Sequence, residues 1–308
     1  MSARGRPSRQ EPPRRGGLFS SMGAPPMDSM PPMRTAFTRG LVATWSSVVI
    51  VGFTVGWVAV EWLVLLALGF PGPFALLAYG PAMPPLSTTT DLSVSIGTFG
   101  VGLGLPLVPI VGAVHALWQS LLTGLAIEAV ESGRASRWGA VRGLRAFPIA
   151  LAIHVIGVGV LFVSQIVSGL GGGSLSLVLE VAIFVLAVWA LSFAPVIAIA
   201  DGRRFIDSLG RSFRAARLPG SGNLTFATIY VVPVFATIIA TVAGATPGST
   251  LNVNPPYTAW IYVVLMNLLH AAVVGALSMR YLAIADEVPD APVRADRSRT
   301  GARAGRSR

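Results

Sequence analysis

Arginine is confined to alternate connections along this chain, and that regularity decides what the chain can become. Apolar blocks run at about 41–68, 95–127, 147–169, 176–200, 224–245 and 257–284. The connections at 69–94, 170–175 and 246–256 hold no arginine. The two connections between them hold Arg134, Arg137, Arg142 and Arg145, then Arg203, Arg204, Arg211, Arg214 and Arg217, and both chain ends are arginine-rich. Each block reaches the roughly 20 apolar residues needed to cross a hydrocarbon core. An even number of crossings puts all 23 basic residues on one side, which the positive-inside rule makes cytoplasmic. The expectation is an all-α, polytopic membrane helix bundle of about six transmembrane helices. It would sit in a bacterial cytoplasmic membrane with both termini inside.

Composition agrees. Charged residues make up 12% of the chain, about half the ~25% usual in soluble domains. The net charge of +10 points to a membrane surface rather than to nucleic acid, because the arginines flank apolar spans. No cysteine is present, which excludes disulfides, cysteine metal sites and thiol chemistry. Residues 1–40, rich in Arg, Pro, Gly, Ser and Met, are predicted to be a disordered basic cytoplasmic tail. Residues 41–285 form the six-helix transmembrane domain in this reading, and 286–308 a second basic tail. The first apolar block is too long for a cleaved signal and is read as a retained span. Pro106 and Pro109 predict a tilt, kink or re-entrant stretch in the second span, and Pro195 and Pro233 predict kinks in the fourth and fifth.

The two basic connections repeat one another. Residues 133–146 read GRASRWGAVRGLRA and 202–215 read GRRFIDSLGRSFRA, so Gly133/Gly202, Arg134/Arg203, Arg142/Arg211, Arg145/Arg214 and Ala146/Ala215 coincide without a gap. A fainter copy at Thr38-Arg39-Gly40-Leu41 suggests a tandem hairpin repeat of three units. At 100° per residue, Phe205, Ile206, Leu209, Phe213 and Ala216 share one face, with Arg203, Arg204, Asp207, Arg211 and Arg214 opposite. That is the pattern of an interfacial amphipathic helix with its guanidiniums toward phosphate.

The six spans and the segment Asp201-Gly202 … Arg211-Ser212-Phe213-Arg214 after a Pro195-bearing span resemble a superfamily of six-helix bacterial and archaeal membrane proteins. That superfamily includes the membrane domain attached to some glycerophosphodiester phosphodiesterases. The resemblance would cover about 35–285 and implies a fold. It carries no catalysis over, since no phosphodiesterase barrel accompanies these residues.

Chemical motifs are scarce. There is no Gly-x-Ser-x-Gly elbow and no His-Glu-x-x-His, and without lysine no phosphate-binding lysine loop. No cofactor and no metal are expected. Ionisable residues inside the spans are costly in hydrocarbon and so mark candidates: Glu61, His115, His154 and His270 for an intramembrane polar site. Gln119 lies one turn from His115, and Glu180 nears the outer end of its span. Glu128 and Glu131 are expected to pair with nearby arginines, and tryptophans near span ends to act as interfacial anchors. Arg142, Arg145, Arg211 and Arg214 are the candidates for anionic phospholipid headgroups. The function expected is non-enzymatic transport, lipid handling or membrane organisation. The alternatives are a secondary transporter with an intramembrane polar site and an intramembrane lipid-modifying enzyme.

Overall fold

The computed structural model describes residues 31–67, 87–169, 173–218, 222–232, 256–286 and 288. Among the described residues every regular element is helical. In chain order these are α1 (Met33–Trp45), α2 (Val48–Ala67), α3 (Ser87–Ser132), α4 (Arg137–Gly143), a 3-10 turn (Leu144–Ala146), α5 (Phe147–Gly169), α6 (Gly173–Leu191), α7 (Ala194–Ala200), α8 (Phe205–Ala216), α9 (Asn223–Val232) and α10 (Pro256–Ile284). Four stretches are long and apolar enough to cross a membrane: Gly112–Ser132, Arg137–Gly159, Val178–Ala200 and Asn267–Ile284. The bent pair α1–α2 makes a fifth when taken as one broken span. The block read at 224–245 enters only as α9, and its remainder, with Pro233, lies outside the described residues. Val155, Ile156, Val163 and Ile166 on α5 and Val178, Leu179, Ile183 and Leu186 on α6 stand exposed. Apolar surface on this scale is what hydrocarbon, not water, solvates.

Two of the expected spans are broken, each for a local reason. The first does not run straight from 41 to 68. Its helix begins at Met33, inside the stretch read as tail, stops at Trp45 and turns by 81° into α2. Ser47 makes the second start: its Oγ accepts from the Ile50 N–H at 3.5 Å, an N-cap geometry. The fourth span divides into α6 and α7 at Ser192-Phe193, just before Pro195. Pro195 has no N–H, so the Leu191 carbonyl loses its partner four residues on. By contrast α3 is helical without a break for 46 residues through Pro106 and Pro109. Each proline removes one hydrogen bond, which a continuous helix absorbs.

Glycine sets how closely the helices meet. Helix α1 runs antiparallel along α10: Met33 meets Arg280, Gly40 meets Ala276, and the Trp45 indole donates to the Leu268 carbonyl at 2.9 Å. Ala36, Gly40 and Thr44, four apart and all buried, form the contact stripe. Such small-residue stripes bring helices together in membranes. A Cβ on Gly40 would stand 2.5 Å from the Ala276 nitrogen. At the other side of the bundle, Gly139 and Gly143 of α4 lie against Gly124 and Ser120 of α3 with no room for a side chain.

Gly40→Val is expected to cost about 1–3 kcal/mol of stability by overpacking. Gly52→Val on α2 is the control, since nothing lies within 4 Å of a Cβ there. Melting of the purified protein in detergent reads the difference.

Candidate functional site

The arginine-bearing segments gather at one end of the bundle. Helix α7 packs against both the 3-10 turn and α8. The start of α1 and the last turn of α10 reach the same end, through Met33 beside Arg280 and through Arg211 beside Ala285. Gly133 and Gly202 carry the chain into the two basic segments, each with positive φ (74° and 64°) after the end of a helix. A residue with a side chain strains in that left-handed region.

From Gly202 the chain enters α8, whose packing face is Ser208, Arg211, Ser212, Ala215 and Ala216. Small residues let this face approach α6 closely. Ser212 Oγ donates to the Ala190 carbonyl at 2.6 Å, beside the α6–α7 break, and Phe213 meets Trp189 edge-on at 5.5 Å. Arg211, only 6% exposed, is the centre of the contact. Its Nε donates to Tyr281 Oη at 2.7 Å and lies 3.1 Å from Asp201 Oδ2, and its Nη2 donates to the Ala285 carbonyl. Tyr281 Oη in turn donates to Asp201 Oδ2 at 2.5 Å, and Arg203 Nε lies 3.7 Å from the same oxygen. The guanidinium therefore joins the end of α7, the middle of α8 and the end of α10. Its charge also suits the C-terminal end of α10, where backbone carbonyls point outward.

This arrangement corrects the reading of α8 from its helical wheel. Arg211 faces protein, not phosphate, because Asp201 and Tyr281 supply its acceptors. Ile206 (78%) and Phe213 (42%) are exposed, whereas Ala216 is buried. Arg204 is exposed and Arg214 half-buried. In the first segment Arg142 is half-buried and paired, its Nη1 2.6 Å from Glu131 Oε2. Glu128 takes a capping role rather than an arginine: it accepts from Ser136 N at 2.7 Å and Ser136 Oγ at 2.8 Å. Arg145 is exposed, beside exposed Trp138, Val141 and Leu144. The Arg137 guanidinium stacks on Trp138, and that of Arg217 on Phe213, each 5.2 Å from the ring centre.

The intramembrane candidates are brought together only in part. His270 lines a cavity of about 30 Å³ with Gln119, Ser120, Thr123, Leu191 and Ser192, at the α6–α7 break. His270 Nδ1 lies 3.3 Å from Tyr230 Oη, and its ring stacks on Trp118 at 5.4 Å. Trp118 also meets Trp57 at 6.2 Å, and Trp57 meets Phe53 at 6.1 Å, so an aromatic row crosses α2, α3 and α10. Trp57 and Trp118 thus belong to this interior row, unlike the exposed Trp138. His154 is buried against Gly112 of α3, off the cavity, and His115, one turn after Gly112 on α3, is half-buried. The Glu61 side chain lies outside the described residues. Among the described residues no group of three or more His, Asp or Glu side chains is placed to hold a metal.

Sequence reasoning missed Tyr281, Arg280 and the Asp201–Arg211 pair. Arg280, wholly buried in α10, donates from Nη1 to Met33 Sδ at 3.1 Å. The available signal is an arginine inside the 257–284 block.

Arg211→Gln is expected to cost about 1.5–3 kcal/mol, since it takes the charged donor from Tyr281 Oη and the Ala285 carbonyl and leaves Asp201 with Tyr281 and Arg203 alone. Tyr281→Phe removes one hydrogen bond pair and should cost about 1–3 kcal/mol. In a double-mutant cycle with Asp201→Asn, the loss from Arg211→Gln should shrink, and additive losses would show that the two groups act separately. The chain matches no family model, no curated protein and no solved structure.

Proposed function

We propose that this is a non-enzymatic, multi-pass membrane protein with its arginine-bearing end in the cytoplasm, acting in lipid handling or membrane organisation at the anionic leaflet. The observation that carries the reading is the pairing of exposed guanidiniums with exposed apolar side chains at one end of the bundle. Arg137 and Arg145 stand beside Trp138, Val141 and Leu144; Arg204 and Arg217 stand beside Ile206 and Phe213. Only the boundary between acyl chains and phosphates suits both kinds of group at once. The headgroup set is therefore the exposed Arg137, Arg145, Arg204 and Arg217, with the half-buried Arg142 and Arg214 and the buried Arg211 left out.

About six spans, a tandem hairpin repeat and kinship with the six-helix superfamily belong to the same reading. The paired glycines at 133 and 202 support the repeat, because each ends a helix and opens a basic segment. The transporter alternative has one supporting observation, a small cavity at a broken helix that Gln119, Ser120, Thr123 and His270 reach, which is where such proteins place their sites.

Two measurements test the proposal. In detergent, phosphatidylglycerol should raise the melting temperature of the protein more than phosphatidylcholine does. Changing Arg137, Arg145, Arg204 and Arg217 together to Gln should abolish the difference, each guanidinium contributing roughly 1 kcal/mol. Equal shifts with the two lipids would end the headgroup reading. For topology, the chain's lack of cysteine gives a clean background. Arg134→Cys and Asp207→Cys should both react with an impermeant maleimide from the cytoplasmic face only. Reaction from opposite faces would sink the six-span scheme.

A further inference from the structure

We infer that Met33 is a site of reversible oxidation, at which a hydroperoxide converts the thioether to a sulfoxide and so fastens α1 more firmly to α10. The chemistry begins with a mismatch of partners. The Arg280 side chain is wholly buried, and its Nη1 donates to Met33 Sδ at 3.1 Å. A thioether is a weak acceptor, and a charged donor out of water gains most from a strong one. The oxygen of a sulfoxide is polar and a far better acceptor than the sulfur it sits on. Oxidation disrupts a methionine packed among apolar side chains. Here it supplies a better acceptor to a guanidinium already in place.

Position brings the sulfur to the oxidant. Met33 is half-buried in the first turn of α1, between exposed Pro32 and exposed Arg34. Met279, next to Arg280 on α10, is only 6% exposed and is shielded. The sulfur attacks one oxygen of the peroxide with a lone pair. The S–O bond forms as the O–O bond breaks, and the departing hydroxide takes the proton of the transferred oxygen and leaves as water. Sulfur gives up two electrons and the peroxide accepts them, so no other group of the protein is consumed. Methionine has three rotatable side-chain bonds, which let the new oxygen turn to Nη1. Ala36, Gly40 and Thr44 hold the rest of α1 on α10 in either state. The site shares no residue with the headgroup surface, so either reading can fail without the other.

The test treats the purified protein in detergent with hydrogen peroxide and reads peptide mass and melting temperature together. Met33 should gain one oxygen before Met279 does. The melting temperature should then rise by on the order of 3 °C relative to Met33→Leu treated in the same way, which reports oxidation elsewhere in the chain. Methionine sulfoxide reductases of both stereospecificities should reverse the mass change and the rise. Met33→Gln carries an amide oxygen at similar reach and should melt above Met33→Leu with no oxidant present. That comparison reads the same contact even where peroxide harms the protein at other positions. Oxidation of Met279 as fast as Met33 would overturn the inference, by removing the selectivity. So would a treated protein that gains nothing over treated Met33→Leu, or equal melting of Met33→Gln and Met33→Leu.

Discussion

A guanidinium withdrawn from water must find acceptors in the protein, and the geometry of Arg211 follows from that demand. Its acceptors come from three elements distant in sequence: Asp201 after α7, Tyr281 on α10 and the Ala285 carbonyl beyond α10. Exchange of water for these partners holds α7, α8 and α10 in one arrangement, because loss of any partner leaves a buried charge exposed to low dielectric. Stability is not the main consequence. A well-packed apolar set of similar volume could hold the helices equally well. What the ionic set adds is register: only one placement of α8 lets Arg211 reach all three acceptors.

The same demand governs the broken helices. Each break frees backbone groups that hydrocarbon cannot satisfy, so each must be met by a side chain. Ser212 takes the Ala190 carbonyl at the α6–α7 break, and Ser47 caps the start of α2.

Sequence reading recovered the helical class and the approximate limits of most elements, because length and apolarity are local properties. It placed α5 at 147–169, and α10 within one residue of its observed start. On α8 the wheel's apolar side, meant for acyl chains, does stand exposed at Ile206 and Phe213, but Arg211, assigned to phosphate, is buried. A helical wheel sorts residues by polarity, while α8 packs on protein through Ser208, Arg211, Ser212 and Ala215. Polarity along one helix does not report which polar residue finds its acceptors inside. The partners of Arg211 were hidden because they lie 70 residues or more away along the chain in the case of Tyr281 and Ala285. The break after Trp45 was legible in Ser46-Ser47 and was overridden by the length of the apolar run. Whether His115, His154 and His270 meet depends on helix rotation, which no pattern along one helix determines.

The arginines separate two roles that composition merges. Orientation during insertion counts charge near the ends of spans, so Arg142, Arg211 and Arg280 contribute to it as fully as Arg137 or Arg204. In the folded chain Arg211 and Arg280 are buried against Asp201 with Tyr281 and against Met33, and Arg142, 30% exposed, is paired with Glu131. A lipid surface meets only the guanidiniums left outside. The charge that sets topology therefore exceeds the charge presented to the leaflet, and the surplus is spent inside, holding the basic segments to the bundle so that the remaining guanidiniums keep fixed positions.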